Sequence, residues 1–154
     1  SDDDYASFIE EESDQKIPEG NFVTPDGKIL GRHKGIIHYT IGQRKGLGLS
    51  LGYPAFVLEI RPDTNEVVIG TNEDLMTTRV RANKLNFMTV EDLEGEMRVF
   101  AKIRYNHKGD WCTVRKTGED EIECIFETPQ RAVTPGQALV LYDGDYVAGG
   151  GIIC

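Results

Sequence analysis

The sequence predicts a mainly β protein, with a small β-rich domain and a short N-terminal helix over residues 1–76, followed by a six-stranded antiparallel β-barrel over residues 77–154. Three observations lead to this prediction. Short segments that alternate apolar and polar residues recur along the chain. Turn-forming residues separate these segments. The chain of 154 residues has room for two small domains, and no Gly- or Ser-rich linker divides them.

The first domain is predicted to combine one helix with two hairpins. Tyr5, Phe8 and Ile9 lie at helical spacing in an acidic segment, which predicts a short amphipathic helix over residues 3–12. Turn signals separate the two strands of each hairpin. The predicted strands cover residues 22–24, 28–31, 55–60 and 66–70. Six glycines within residues 31–52 indicate tight backbone turns between the hairpins.

The second domain has strands separated by polar turns at regular spacing, which is typical of a small closed barrel or sandwich. The predicted strands cover residues 79–88, 96–107, 111–117, 121–127, 138–142 and 145–153. Closure of the sheet would also protect its edge strands. The run Gly149–Gly151 lacks the Lys and the following helix of a phosphate-binding loop, so it favours close packing of strands.

The charge of the chain is unevenly distributed. The formal net charge of −9 argues against nucleic acid, because phosphate binding needs clustered Lys and Arg. However, seven of the 26 acids lie in residues 1–15, where no Lys or Arg occurs, and residues 28–56 carry five cations and no acid. The local potential therefore matters more than the net charge, and RNA remains a candidate partner.

The sequence carries no motif of a hydrolase, a P-loop protein or a zinc enzyme, so no residue of this chain is assigned a catalytic role. Cys112, Cys124 and Cys154 show no metal-binding spacing, and we expect no metal site. The first two alternate with apolar residues in predicted strands, which indicates buried side chains in a reducing compartment.

The chain has no run of about 18 apolar residues and no basic-then-apolar leader at its N-terminus. Neither a membrane span nor a signal peptide is expected. We therefore predict a cytoplasmic location and no membrane partner.

Two turn regions offer polar side chains to a nucleic acid. The glycine-rich segment of residues 31–48 interleaves basic and aromatic residues. Its Arg44 and Lys45 are candidates for phosphate contacts, and its Gln43 for a contact with a sugar or a base edge. Gln137 leaves a Pro-Gly turn and projects from it. The alternative for the glycine-rich segment is a structural turn with solvated charges.

The predicted strand of residues 96–107 is a further candidate. Alternation places Arg98, Lys102 and Arg104 on one face as a basic stripe. Tyr105 falls on the apolar face, and it would need a strand end or a bulge to stack on a nucleotide. The alternative is an ordinary exposed strand face.

Four motifs occur in order along almost the whole chain. They are Tyr39-Thr40-Ile41-Gly42-Gln43-Arg44-Lys45-Gly46-Leu47-Gly48, Lys102-Ile103-Arg104-Tyr105, Ala132-Val133-Thr134-Pro135-Gly136-Gln137-Ala138 and Gly149-Gly150-Gly151-Ile152-Ile153. Together they resemble the bacterial tRNA-specific 2-thiouridylases, which carry the older label tRNA (5-methylaminomethyl-2-thiouridylate)-methyltransferase. The resemblance implies a three-part enzyme that replaces the 2-oxygen of the wobble uridine (U34) with sulfur. This chain resembles its central and C-terminal parts.

The candidate tRNA contacts are of two kinds. Those that match contact positions of the family are Arg104, Tyr105 and Gln137. Those added because of their charge are Arg44, Lys45 and Lys102.

The resemblance also implies which chemistry lies elsewhere. It places ATP, with Mg, in the N-terminal part of the enzyme, and it implies tRNA and a persulfide sulfur donor protein as partners, but not DNA. In the family, the persulfide cysteine lies just before the segment that matches Asp2–Tyr5. None of the three cysteines of this chain lies in that motif, so we expect the chain to be inactive alone.

Two other functions stay open. The chain would be a protein-interaction module if its acidic N-terminal segment and apolar β-surface docked a sulfur-relay donor. It would be a general RNA adaptor if its barrel resembled the second domain of translation GTPases, since similarity of fold alone does not separate these functions.

Overall fold

The computed structural model describes residues 18–154, which divide into two compact units. The first unit ends at Leu75, and the second runs from Met76 to Cys154. The helix predicted over residues 3–12 lies outside the described residues.

The first unit holds a four-stranded mixed sheet. Its strands are β1 (Gly20–Val23), β2 (Ile29–His33), β3 (Phe56–Arg61) and β4 (Glu66–Gly70), in the order β2-β1-β4-β3. Both predicted hairpins are confirmed, because β1 pairs with β2 and β3 with β4 in antiparallel register. The two hairpins are joined by a parallel pairing of β1 with β4. Single-turn 3₁₀ helices follow at Ile36–His38 and Glu73–Leu75.

A buried histidine connects the parts of this unit. His33 is 2% exposed, and its ring makes edge contacts with the rings of Phe22 and Tyr39 at centroid distances of 5.7 Å each. Its Nδ1 accepts a hydrogen bond from the Gly35 N–H at 3.0 Å, so Nε2 carries the proton and donates to the Asn65 carbonyl at 2.7 Å. The end of β2 is thereby tied to the turn between β3 and β4.

The second unit is a closed barrel of six antiparallel strands, as the sequence predicted. Its strands are β5 (Met76–Asn86), β6 (Met97–Lys102), β7 (Asp110–Gly118), β8 (Glu121–Arg131), β9 (Ala138–Asp143) and β10 (Tyr146–Ile153). Their order around the barrel is β10-β5-β8-β7-β6-β9. A 3₁₀ turn at Val90–Asp92 lies between β5 and β6.

The strand predicted over residues 96–107 is too long. β6 ends at Lys102, and residues 103–109 form a loop. The loop closes on itself because the Ile103 N–H donates to His107 Nδ1 at 3.3 Å, and the His107 N–H donates to the Arg104 carbonyl at 3.1 Å. These two bonds replace the strand pairing that alternation predicted.

The barrel interior is apolar. Ile103, Ile122 and Leu139 are at most 1% exposed, and burial of each such side chain contributes about 1.5–3 kcal/mol. Cys112 and Cys124 are buried as predicted, and contact with Cys112 together with burial raises the pKa of the Cys124 thiol. The thiol is therefore protonated and unreactive.

The glycine run in β10 packs closely against neighbouring strands, which confirms the structural interpretation of this motif. A Cβ on Gly150 would meet the Leu139 carbonyl, and one on Gly151 would lie 2.5 Å from the Asn83 carbonyl. No side chain fits at either position, so the run serves closure of the barrel.

On the outer wall, one carboxylate is covered by three arginines. Glu123 has no exposed surface, yet it points away from the apolar interior. It accepts from Arg115 Nη2 at 2.8 Å and from Arg81 Nε at 3.1 Å, and Arg79 Nε lies 3.6 Å away. The hydrogen bond from Arg115, followed by that from Arg81, lowers the pKa of the carboxyl despite its burial. One charged carboxylate thereby links β5, β8 and β7.

This linkage predicts a pH effect on stability. The pKa of Glu123 is lower in the folded chain than in the unfolded chain, so its contribution is present above the ordinary carboxyl pKa and is lost as the pH falls through the folded pKa. We expect Glu123→Gln to unfold at lower urea concentration at pH 7, and to lose less further stability than the wild type between about pH 5 and pH 3.

Urea denaturation at a series of pH values measures this difference. Glu119→Gln, an exposed position, controls for the removal of one negative charge. Parallel curves of stability against pH for the wild type and Glu123→Gln would show that the buried carboxylate has no such role.

Candidate nucleic-acid interface

Closure of the barrel sorts its loops into two opposite rims. Consecutive strands run in opposite directions, so alternate loops lie at the same end. We call one end the basic rim, with the loops of residues 103–109 and 132–137. We call the other end the acidic rim, with the loops of residues 87–96, 119–120 and 144–145.

The two rims differ strongly in charge. The three loops of the acidic rim carry seven Asp or Glu residues and no Lys or Arg. The two loops of the basic rim carry Arg104 and Lys108 and no acid, and the adjoining strand ends add the cations Lys102 and Arg131 and the acid Asp110. A polyanion is therefore attracted to the basic rim and repelled by the acidic one.

Arg104 connects the loop of residues 103–109 to the end of β8, where the other loop of the basic rim begins. Its side chain is half-buried, and Nη1 donates to the Arg131 carbonyl at 3.0 Å. The other N–H groups of its guanidinium make no hydrogen bond within the described chain. The prediction that Arg104 continues the strand face of Arg98 and Lys102 is wrong, because the strand ends before it.

Tyr105 and Gln137 both point away from the protein at this rim. The Tyr105 ring is 96% exposed and contacts no aromatic ring of the described chain. It does not occupy the apolar strand face that alternation predicted, because it lies in the loop. Gln137 is exposed, while its backbone is held by Thr134 at 3.2 Å and by Ile153 at 2.8 Å. The carboxamide makes no hydrogen bond within the described chain.

Two titratable groups of this region serve the structure. Burial lowers the pKa of His107, so its ring is neutral near pH 7 and adds no cation to the rim. Asp110 accepts from the Thr128 hydroxyl at 2.6 Å and from Gln130 Nε2 at 3.1 Å, and the bond from Thr128 is the main cause that lowers its pKa. Its oxygens are thus engaged in joining β7 to β8.

The basic stripe predicted on the wall is only partly present. Arg98 Nε donates to Glu127 at 2.6 Å, and the guanidinium lies 4.2 Å from the centroid of the Trp111 ring. Its charge is therefore neutralised. Lys102 has no carboxylate partner in the described chain, and its Nζ lies 5.5 Å from the centroid of the Tyr142 ring. Lys102 adds its charge to the wall next to the basic rim.

In the first unit, Arg44 and Lys45 are exposed side chains of the glycine-rich segment. Arg44 borders an open depression of about 460 Å³, together with Tyr53 and several glycines. Gln43 instead stabilises the turn, because its Oε1 accepts from the Thr40 N–H at 3.0 Å and its Nε2 donates to the Lys45 carbonyl at 2.9 Å. Its carboxamide thus positions the two cations.

Sequence reasoning missed the contrast between the rims and the arginine cover over Glu123. The sequence contained a signal for the charge contrast between the rims, since every second loop of the barrel is rich in acids. The arginines around Glu123 could not be predicted without the register of three strands, because Arg81 and Arg115 lie opposite Glu123 on the two strands that flank β8.

The hydrogen bond between Arg104 and the Arg131 carbonyl predicts a local effect. We expect Arg104→Ala to speed amide hydrogen exchange in residues 103–109 by roughly 5- to 30-fold, because a charged hydrogen bond that holds the loop is removed, at a cost of ~1–2 kcal/mol. Hydrogen-exchange mass spectrometry measures it. Lys108→Ala removes an exposed charge from the same loop and should leave exchange unchanged. Equal rates in Arg104→Ala and the wild type would disprove the bracing role.

Within residues 18–154, no helix is long and apolar enough to cross a membrane. The same residues include no group of three His, Cys, Asp or Glu side chains arranged to hold a metal ion.

Comparison with known proteins connects both units to tRNA enzymes. Residues 6–71 match the tRNA methyl transferase PRC-barrel domain, and residues 77–153 match the aminomethyltransferase β-barrel domain. A tRNA-specific 2-thiouridylase MnmA of Lachnoclostridium phytofermentans is 66% identical over 99% of the chain, and covers it with 43% of its own length. Proteins of the same name from Koribacter versatilis and Clostridioides difficile are 50% and 51% identical. The chain spans about two fifths of the length of these curated relatives.

Proposed function

We propose that this chain, which belongs to the family of tRNA-specific 2-thiouridylases, holds the tRNA of a sulfurtransferase that makes 2-thiouridine at the wobble position (U34). The observation that carries the proposal is the meeting of Arg104, Tyr105 and Gln137 at the basic rim. They come from two loops that are far apart in sequence, and they combine a guanidinium, an exposed ring and a free carboxamide.

These three groups suit folded RNA. A guanidinium binds phosphate through several N–H groups, an exposed aromatic ring stacks on an unpaired base, and a carboxamide bonds a sugar or a base edge. An exposed tyrosine ring gains nothing from the fold, so stacking on a ligand accounts for its position. Lys102 on the wall, and Arg44 and Lys45 in the first unit, offer further cations to the phosphate backbone.

The chemistry of sulfur transfer belongs, in this proposal, to the part of the relatives that the chain does not match. ATP with Mg activates the uridine there, and a persulfide sulfur donor protein supplies the sulfur. The wobble base leaves its stack to react, at a cost of a few kcal/mol, and tRNA contacts made by this chain offset that cost. The chain alone is expected to carry out no thiolation in the cytoplasm or in vitro.

The first test of the proposal is tRNA affinity. Tyr105→Ala in the full-length enzyme should weaken binding of a tRNA with a wobble uridine roughly 5- to 100-fold, because stacking contributes ~1–3 kcal/mol per base. Gln137→Ala should weaken it less. Filter binding measures the affinities, and thermal unfolding should be unchanged because neither side chain contacts the fold. Unchanged affinity and turnover for both variants would disprove the proposed contacts.

A second test separates phosphate contacts from base contacts. The double variant Arg44→Gln with Lys45→Gln should reduce the slope of log affinity against log salt by about 0.7–0.9 for each phosphate that the variant no longer binds. Lys28→Gln with Lys34→Gln removes the same charge from exposed positions of the same unit and serves as the matched control. Equal slopes for the two double variants would show that Arg44 and Lys45 bind no phosphate in particular.

The alternative of a general RNA adaptor predicts equal affinity for tRNAs with uridine and with cytidine at the wobble position. A marked preference for the uridine tRNA in the full-length enzyme supports the thiouridylase function, and equal affinity and equal dependence on Tyr105 would support the adaptor.

A further inference from the structure

The acidic rim carries an exposed apolar patch. Phe87 is 87% exposed, Tyr146 81%, Val147 54% and Met97 39%. Phe87 and Met97 line a depression of about 370 Å³, whose other apolar lining includes Met88, Leu93 and Ala148. Single exposed apolar residues are common, but several at one end of a barrel, beside a depression and bordered by charged residues, mark an interaction surface.

The backbone holds Phe87 in an unfavourable conformation. Its φ is 58°, in the left-handed region that a bulky side chain rarely adopts, at a cost of ~1–3 kcal/mol. The next residue, Met88, packs over Gly149, where an added Cβ would lie 2.6 Å from Met88 Cγ. The chain thus packs Met88 against the barrel core and turns the larger Phe87 ring outward. This arrangement costs stability, and the Phe87 ring contributes nothing to the core.

The charges around the patch determine what binds there. Glu91, Asp92, Glu94 and Glu96 lie in the same loop as Phe87, and Asp145 precedes Tyr146. Nucleic acid is repelled by this rim. A surface that combines aromatic anchors with acids fits a segment whose Lys or Arg residues surround an apolar side chain.

We propose that the acidic rim docks a cationic segment of a protein partner, with an apolar side chain of that segment in the depression beside Phe87. The basic rim is free for tRNA at the same time, because the two rims lie at opposite ends of the barrel. β8 joins them and has 11 residues, about 30 Å along the strand. That exceeds the Debye length of ~8 Å at physiological salt, so the rims act independently.

The probe for this site is a fluorescein-labelled peptide of 14 residues, built only from Lys and Leu with the leucines on one helical face. Fluorescence anisotropy at about 0.15 M salt measures its affinity for the full chain. We expect Phe87→Ser with Tyr146→Ser, and separately Glu94→Gln with Glu96→Gln and Asp145→Asn, all three exposed, to weaken binding at least 10-fold. A second peptide with Ser in place of Leu should bind at least 10-fold more weakly.

The matched control is Asp2→Asn with Asp3→Asn and Asp4→Asn, which removes the same charge from elsewhere in the sequence and should retain affinity. Arg104→Ala should also leave it unchanged, and unaltered tRNA binding by that variant would contradict only the proposed function. Equal loss in the control and rim variants would overturn the docking site.

Sedimentation of the chain without peptide tests whether a second copy of the chain, and not another protein, binds the apolar patch. Association that depends on concentration and is abolished by Phe87→Ser would assign the patch to a contact with a second copy of the chain, and it would overturn the proposal. A monomer at all concentrations, together with the expected peptide result, supports it.

Discussion

Antiparallel closure of the six-stranded barrel is the constraint on which the arrangement of functional groups depends. It leaves no free edge, and it sends each successive loop to the opposite end. Residues 103–109 and 132–137 therefore meet, although β7 and β8 separate them in sequence. The glycines of β10 permit this closure, because Gly150 and Gly151 let their neighbours approach closer than any side chain allows. A packing fault at that strand would thus alter the basic rim, the proposed RNA surface, even though the strand does not form part of that rim.

The cations of the barrel differ in whether a carboxylate neutralises their charge, and this difference decides where the barrel attracts a polyanion. The charge of Arg98 is neutralised by Glu127, and three arginines of the barrel wall form ion pairs with the carboxylate of Glu123. Arg104 differs, since it bonds a neutral carbonyl and keeps its full charge at the rim. A count of Lys and Arg on a strand face does not reveal this difference, which depends on the hydrogen-bond partner of each guanidinium.

Much of the fold was accessible from the sequence, because alternation and turn residues are local signals. All ten strands of residues 18–154 were expected, and eight begin and end within three residues of the predicted positions, whereas β6 ends five residues earlier and β8 four residues later than predicted. What failed was decided by tertiary contacts. The end of β6 depends on the hydrogen bond from the Ile103 N–H to the His107 ring. The parallel pairing of β1 with β4 could not be predicted, because no turn connects these two strands directly. For the site, the resemblance to the family identified Arg104, Tyr105 and Gln137 as candidates. That they lie at one rim could be seen only from the closed barrel.

The seven acids of the acidic rim are compatible with RNA binding at the basic rim because of distance. A charge acts in salt solution over roughly one Debye length, ~8 Å, and the two rims are several such lengths apart. In the proposed function, the acids at the far rim would therefore weaken tRNA binding little, while they would repel RNA that approaches that end. An acidic end of this kind reduces the number of ways in which a polyanion can associate, so it would favour the proposed orientation in which Tyr105 and Gln137 face the RNA. The negative charge of the acidic rim would thus contribute to the selectivity of the basic rim.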